Sequence, residues 1–250
     1  LGIDIGGTNT KFGVVNHRGE VLEKGNIRTD AYPTVEEYID ALYEAVYPLI
    51  ESHGKEKNFD GIGVGAPNAN YYTGTIEQAP NLPWKGVINF ADLMTAKFNS
   101  PCKMTNDANA AAVGEMMYGA AQGMKDFIMI TLGTGVGSGI VANGKLVYGH
   151  DGFAGELGHT TIIPNGRLHE GTGKKGSLES YASATGVAQS AIEILENTDR
   201  PSSLRAIPTG ELNSKAVFEA ATKAEALAQI AHISPQNLQE QIRKINQWKN

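Results

Sequence analysis

Leu1-Gly2-Ile3-Asp4-Ile5-Gly6-Gly7-Thr8-Asn9-Thr10-Lys11-Phe12-Gly13-Val14-Val15 opens the chain and decides its fold. An apolar run stops at paired glycines and resumes, which reads as a strand, a tight turn and a second strand. Asn16-His17-Arg18-Gly19 is a hairpin signal, and Glu20 to Ile27 reads as the returning strand. The same unit recurs at mid-chain: Phe127 to Leu132, the turn Gly133-Thr134-Gly135-Val136, then Gly137 to Ala142, with Asn143-Gly144 turning into Lys145 to Tyr148. Glycine in such turns permits positive φ and lets backbone N–H groups approach an anion closely. The repeat predicts an α/β fold of two domains of related plan, residues 1–118 and 119–250, facing each other across a cleft.

Between the two units the periodicity changes. Thr34 to Ser52 carries apolar residues at Val35, Tyr38, Ile39, Leu42, Ala45, Val46 and Leu49, the spacing of an amphipathic helix, with Thr34 and Glu37 as a capping box. Gly61 to Ala66 and Cys102 to Thr105 read as short strands, with a helix from Asn89 through Phe98. Asn106-Asp107 then opens an alanine-rich helix. Beyond the second unit, Gly152 to Gly176 is loop-like, Ser180 to Asn197 and Ser214 to His232 are helical, and Pro201 to Pro208 is a linker. Ser234 and Pro235 start a last amphipathic helix with Leu238, Ile242 and Ile245 on one face.

The 250 residues are 41% hydrophobic and 19% charged, with a net charge of −6, so no basic stripe serves nucleic acid or a membrane surface. One cysteine, Cys102, rules out an internal disulfide or a multi-cysteine zinc site. No apolar stretch has membrane-spanning length and no signal segment is recognisable, so the cytoplasm is the expected compartment. The chain opens at Leu1 without methionine, which leaves room for residues ahead of it.

Three clusters can carry chemistry. Transferring a phosphoryl group to a sugar needs a cradle for the donor phosphates, a base on the accepting hydroxyl and fixed polar contacts around the ring. In the first glycine loop Gly6, Gly7 and Thr8 can donate to phosphate, Lys11 supplies positive charge, and Asp4 can hold magnesium through water; a plain hairpin turn is the alternative. Four glycines within Gly133 to Gly139 exceed what a turn needs. Asp107, between the loops, is a candidate base, its alternative being a helix cap. Gly155-Glu156-Leu157-Gly158-His159 and Glu179 suit sugar hydroxyls, which both donate and accept, or else form a solvated loop.

Together these clusters resemble the ROK family of bacterial sugar kinases and sugar-responsive repressors, within the actin/hexokinase/Hsp70 ATPase superfamily. Asp4 to Lys11 resembles that family's first phosphate loop and Leu132 to Gly139 its second. Asn106-Asp107 matches its catalytic pair, and Gly155 to His159 with Glu179 its sugar motifs. Gly65-Ala66-Pro67-Asn68 resembles its Gly-x-Pro loop. The similarity runs from Leu1 to about Gln229.

The resemblance implies two ribonuclease-H-like domains with magnesium and ATP on one side and a hexose on the other. Asp107 deprotonates the 6-hydroxyl; Gly65, Asn68, Asn106, Glu156, His159 and Glu179 surround the sugar. Asp4, Gly6, Gly7, Thr8, Thr10 and Lys11, with Gly133, Thr134 and Gly135, serve the nucleotide. Glucose is the implied acceptor and a homodimer the implied assembly.

Two departures stand out. Many members bind structural zinc through Cys-x-Cys-Gly-x-x-Gly-Cys-x-Glu and the histidine of the Gly-His step. Here the segment runs Glu170-Gly171-Thr172-Gly173-Lys174-Lys175-Gly176-Ser177-Leu178-Glu179, keeping His159 alone among the ligand positions. Zinc favours thiolate and imidazole, so no family-type zinc is expected. Members also continue further, with a glycine pair against the adenosine and a last helix returning to the first domain, a segment that Ile233 to Asn250 does not resemble. A missing part supplied by another chain, an incomplete sequence and a redesigned tail all stay open. The competing functions are a non-catalytic sugar-binding regulator, an inactive truncated homologue and a polyphosphate-dependent glucokinase.

Overall fold

The computed structural model describes residues 1–52, 60–199 and 201–222. It is an α/β structure of two compact units. One comprises Leu1–Thr131 and Gly137–Glu156; the other comprises Leu132–Val136 and the chain from Leu157 onward. Contact compactness thus groups residues 119–131 and 137–156 with the first part of the chain. The division at 118/119 concerns related plan and remains a proposal.

In the first unit β1 (Gly2–Ile5), β2 (Asn9–Val15) and β3 (Val21–Arg28) form an antiparallel meander. After α1 (Val35–Ser52), β4 (Ile62–Gly65) joins β1 in parallel. A ribbon of β5 (Ala69–Asn70), β6 (Thr75–Glu77) and β7 (Val87–Ile88) precedes α2 (Phe90–Phe98). β8 (Cys102–Thr105) then pairs in parallel with β4 and leads into α3 (Asp107–Tyr118). The sheet order β3-β2-β1-β4-β8 is the ribonuclease-H-like arrangement that the resemblance implies.

Alternation in β1 and β2 sends Ile3, Ile5 and Phe12 to one face, where they pack with Tyr38 and Leu42 of α1 and Phe90 and Met94 of α2. Burying side chains of this size contributes about 1.5–3 kcal/mol each. The reciprocal capping box at the start of α1 is present: Glu37 N–H donates to Thr34 Oγ1 and Thr34 N–H to Glu37 Oε2, both at 3.3 Å. The opposite face of the strands carries Gly2, Asp4, Lys11, Gly13, Gly63 and Gly65, which line an open groove of about 760 Å³.

β9 (Phe127–Leu132), β10 (Val136–Ala142) and β11 (Lys145–Leu146) make the second strand–turn–strand unit, a sheet of order β11-β10-β9. Asn143 and Gly144 both have positive φ, 52° and 72°, as a two-residue type I′ hairpin requires. The second unit adds a short hairpin of β12 (Leu168–His169) and β13 (Lys174–Lys175) inside the segment read as loop. α4 (Glu179–Ala182) and α5 (Ala184–Glu196) follow. They replace the single helix expected there, because Ser183 adopts extended geometry and caps α5 through Gly186 N–H. Two 3₁₀ turns, Ser203–Ala206 and Thr209–Glu211, occupy the linker before α6 (Ser214–Thr222). Ala188, Ala191, Leu204 and Val217 form its small core.

The helix expected over Ser214 to His232 is described only as far as residue 222. The last amphipathic helix, from Ser234 through Ile245, lies outside the described residues. Among the described residues no helix is long and apolar enough to cross a membrane.

Candidate active site

The position of Asp107 follows from small residues on three elements. α3 presents Ala108, Ala110 and Ala112, and glycines of β4 and β10 meet them. A Cβ built on Gly65 would lie 3.2 Å from Ala110 Cβ and 3.6 Å from Asp107 Cα. One on Gly137 would lie 2.9 Å from Ala108 Cβ, and one on Gly139 2.6 Å from Ala112 Cβ. Gly137 and Gly139 are therefore strand residues that admit a helix. That explains the surplus glycines of the second motif and leaves Gly133 to Gly135 as the turn itself.

Asn106, not Asp107, caps α3. It has extended geometry, and its Oδ1 accepts the Asn109 N–H at 2.7 Å. Asp107 is the first helical residue, with Oδ1 accepting only the adjacent Ala108 N–H at 2.8 Å. Asn106 Nδ2 points at Glu156 Oε1, 3.5 Å away. Glu156 is presented by Gly155, whose φ of 93° and contact with the Ser138 carbonyl suit glycine alone. The Ser138 hydroxyl in turn donates to the Gly155 carbonyl. Replacing Asn106 with alanine is expected to lower stability by about 1 kcal/mol, the usual cost of a lost cap, measurable by denaturant unfolding.

Asp4 and Lys11 are direct cross-strand partners in β1 and β2. The Asp4 carboxyl is held above the ordinary carboxylate range, first by desolvation and then by the nearby negative charge of Asp107; Lys11 partly offsets both. A raised folded-state pKa means that the native state binds this proton more tightly than the unfolded chain does. Its contribution to stability is therefore present at low pH and is lost as pH rises from the unfolded value of 3.8 through the folded one. Asp4→Asn should accordingly raise Tm at neutral pH, with the gain disappearing below pH 3.8. Thermal melts across that range check it.

The first glycine turn does not use the conformation expected of it. Gly6, Gly7, Gly133 and Gly135 are all absent from the positive-φ residues. What excludes a side chain is close approach: a Cβ on Gly7 would sit 2.6 Å from the Asn81 carbonyl, and one on Gly135 2.6 Å from Glu179 Oε2. Gly6 N–H closes the turn on the Asn9 carbonyl at 3.0 Å, and Thr8 is exposed. Thr10 lies beneath the loop. Its fully buried hydroxyl bonds Thr29 Oγ1 at 2.9 Å and Tyr38 Oη at 2.8 Å, bracing the loop from beneath. The groove beside Asp4 and Lys11 is not lined by Gly6, Gly7, Thr8 or Asp107, so this groove and the phosphate-type turn are distinct features.

Gly65 ends β4 and Asn68 follows it at φ 52°, its Nδ2 donating to the Glu77 carbonyl at 3.0 Å. Sequence reasoning missed the network below it. Buried Asn70 donates to Glu77 Oε1 at 3.0 Å and to the Asp151 carbonyl at 2.9 Å, while Thr75 donates to Glu77 at 2.8 Å. The available signal was Gly74, whose φ of 68° turns the ribbon.

In the second unit the turn Gly133 to Val136 is tied to two sequence-distant segments. Val136 N–H donates to Glu179 Oε2 at 2.7 Å, and Ala184 N–H donates to the Gly133 carbonyl at 2.8 Å. His159 ends a 3₁₀ turn, Leu157–His159, whose Gly158 lies directly against the Val136 carbonyl. Thr134 is exposed. The segment that departs from the zinc pattern is held by polar contacts: His169 Nδ1 to Thr172 Oγ1 at 3.0 Å, and Ser177 Oγ to Ser180 Oγ at 2.7 Å. Among the described residues no group of three or more His, Cys, Asp or Glu is placed to hold a metal ion.

The model of the ROK family matches residues 1–246. A glucokinase of Halalkalibacterium halodurans is 39% identical over 231 residues, covering 91% of this chain and 70% of that protein. A glucokinase of Streptomyces coelicolor is 36% identical over 192 residues, 76% of this chain and 58% of that protein. Among solved structures, a ROK family glucokinase from Streptomyces griseus in complex with glucose and AMPPNP superposes with a TM-score of 0.70 at 34% identity, over 91% of this chain and 73% of that one.

Proposed function

We propose, from the premise that the chain belongs to the ROK family, that it transfers the γ-phosphoryl group of ATP to the 6-hydroxyl of a hexose, with glucose the favoured acceptor. The observation that carries this reading is the placement of Asp107: a carboxylate at a helix start whose capping is done by its neighbour, with Asp4 close by. Glucokinases among the relatives support the reaction class, and the relative bound to glucose and AMPPNP supports the pairing of sugar with nucleotide.

An Asp107 carboxylate oxygen accepts the proton of the 6-hydroxyl while the hydroxyl oxygen attacks the γ-phosphorus and ADP leaves. General-base assistance of this kind is worth about 10²–10⁴-fold. By the resemblance, Gly65, Asn68, Asn106, Glu156, His159 and Glu179 hold the remaining hydroxyls. Gly6, Gly7, Thr8 and Lys11 and the turn Gly133, Thr134, Gly135 receive the donor phosphates.

The raised Asp4 carboxyl beside Asp107 suits a magnesium ion, since a divalent cation relieves repulsion between two carboxylates. Asp4 would hold it through water, and when bound it supplies charge neutralisation at the phosphates. The division at 118/119, a homodimer, a cytoplasmic role in glycolysis and the absence of family-type zinc belong to the same proposal and rest on the resemblance.

A coupled assay with glucose, N-acetylglucosamine, N-acetylmannosamine and fructose, each with ATP or polyphosphate, tests it. Turnover is expected with ATP and greatest with glucose. Glucose binding without turnover from either donor would instead favour a sugar-binding regulator.

A further inference from the structure

Glu179 supplies one of the two contacts that tie the second glycine turn to sequence-distant segments of its unit. One oxygen, Oε2, accepts the Val136 N–H at 2.7 Å, and it lies so close to Gly135 that no side chain fits between them. The other, Oε1, meets His169 Nε2 at 2.8 Å. The imidazole is itself fixed from behind by Thr172 Oγ1, 3.0 Å from Nδ1. Nε2–H donates to the carboxylate, and Nδ1 shares a hydrogen bond with the threonine hydroxyl, which can donate or accept. The His169 and Glu179 side chains are 25% and 14% exposed, so water competes weakly for either.

The hairpin that carries His169 is anchored next door. Arg167 bonds Glu193 Oε2 at 2.7 Å and the Gly186 carbonyl at 3.0 Å, and its N–H donates to Tyr181 Oη at 2.8 Å. The chain of contacts therefore runs from a braced hairpin, through an imidazole and a carboxylate, to one backbone N–H of the turn.

We infer that His169 is a positioning residue for the second phosphate turn, acting through Glu179. With both carboxylate oxygens engaged, the Glu179 side chain has one orientation, and that orientation holds Val136 N–H and hence the path of Gly133 to Gly135. Without the imidazole, Oε1 loses its donor, the carboxylate turns toward water, and of the two bonds to sequence-distant segments the turn keeps the one from Ala184 N–H to the Gly133 carbonyl. A hydrogen bond to a charged acceptor is worth about tenfold or more in an equilibrium, which sets the size of the effect. The structural part of this inference stands on contacts alone; its functional consequence, weaker nucleotide binding, rests on the kinase reading.

Hydrogen exchange of the 250-residue chain by mass spectrometry, following a peptide that spans residues 132–137, separates the two. In His169→Leu the Val136 amide should exchange about tenfold faster than in the parent, with Tm close to the parent value. In His169→Gln, whose side-chain amide can still donate to Oε1, protection should return. Calorimetry with AMPPNP on the same proteins should show Kd raised about tenfold in the leucine variant and restored in the glutamine variant. Unchanged exchange in His169→Leu overturns the positioning role, whatever the activity. Faster exchange in that variant, in a parent chain that binds no AMPPNP, upholds the positioning role and removes the kinase reading instead.

Discussion

Asp107→Asn should lower kcat for hexose phosphorylation by about 10²–10⁴-fold while leaving the fold almost as stable as before. The two effects separate because different residues perform the two tasks. The α3 cap belongs to Asn106, and its bond to Asn109 N–H is untouched by the substitution. The hydrogen bond that Asp107 accepts from Ala108 N–H at 2.8 Å can be made equally by an asparagine oxygen. What stability loses is the favourable charge at a helix N-terminus, about 0.3–1 kcal/mol, offset in part by removing repulsion with Asp4. What turnover loses is the only group at that position able to accept a proton. Steady-state kinetics beside thermal melts checks both, and losses of kcat and Tm in step would assign Asp107 a structural role.

Gly158→Ala should damage both stability and activity. A methyl group at 158 would overlap the Val136 carbonyl oxygen, and backbone, unlike a flexible side chain, does not yield locally. Either the Leu157–His159 turn withdraws, taking His159 with it, or the strand start at Val136 moves and pulls its N–H from Glu179. Overpacking of this kind costs about 1–3 kcal/mol, and a displacement of ~1 Å at positioned groups can cost about 100-fold in rate. Gly210→Ala, where a Cβ meets nothing within 4 Å and φ is not positive, is the matched control and should change neither.

Residues 1–28 were legible because strand alternation and turn glycines act over a few neighbours, and no distant partner is needed to decide between them. The capping box at Thr34 and Glu37 and the hairpin at Asn143-Gly144 were legible for the same reason. The Asn106-Asp107 step was located, but which residue capped the helix was not, since either side chain can cap and the choice depends on where the helical dihedrals begin. The ribbon from Ala69 to Ile88 escaped notice because strands of two or three residues carry no periodicity and depend on the buried Asn70 and Glu77 contacts.

Distant partners hid the rest. That Gly137 and Gly139 serve α3, that Gly7 makes room for Asn81, and that Thr10 turns inward to Tyr38 are facts about elements brought together by folding. His169 fell within a segment read as loop because its partner Glu179 is ten residues away around a hairpin.

The account turns on phosphoryl transfer to one hydroxyl, and ³¹P NMR of the 250-residue chain incubated with magnesium, ATP and glucose, in parallel with 6-deoxyglucose, measures that transfer directly. The predicted result is a glucose 6-phosphate resonance growing with ADP in the first mixture and no sugar phosphate in the second. A sugar phosphate formed from 6-deoxyglucose, or none formed from glucose, would contradict it.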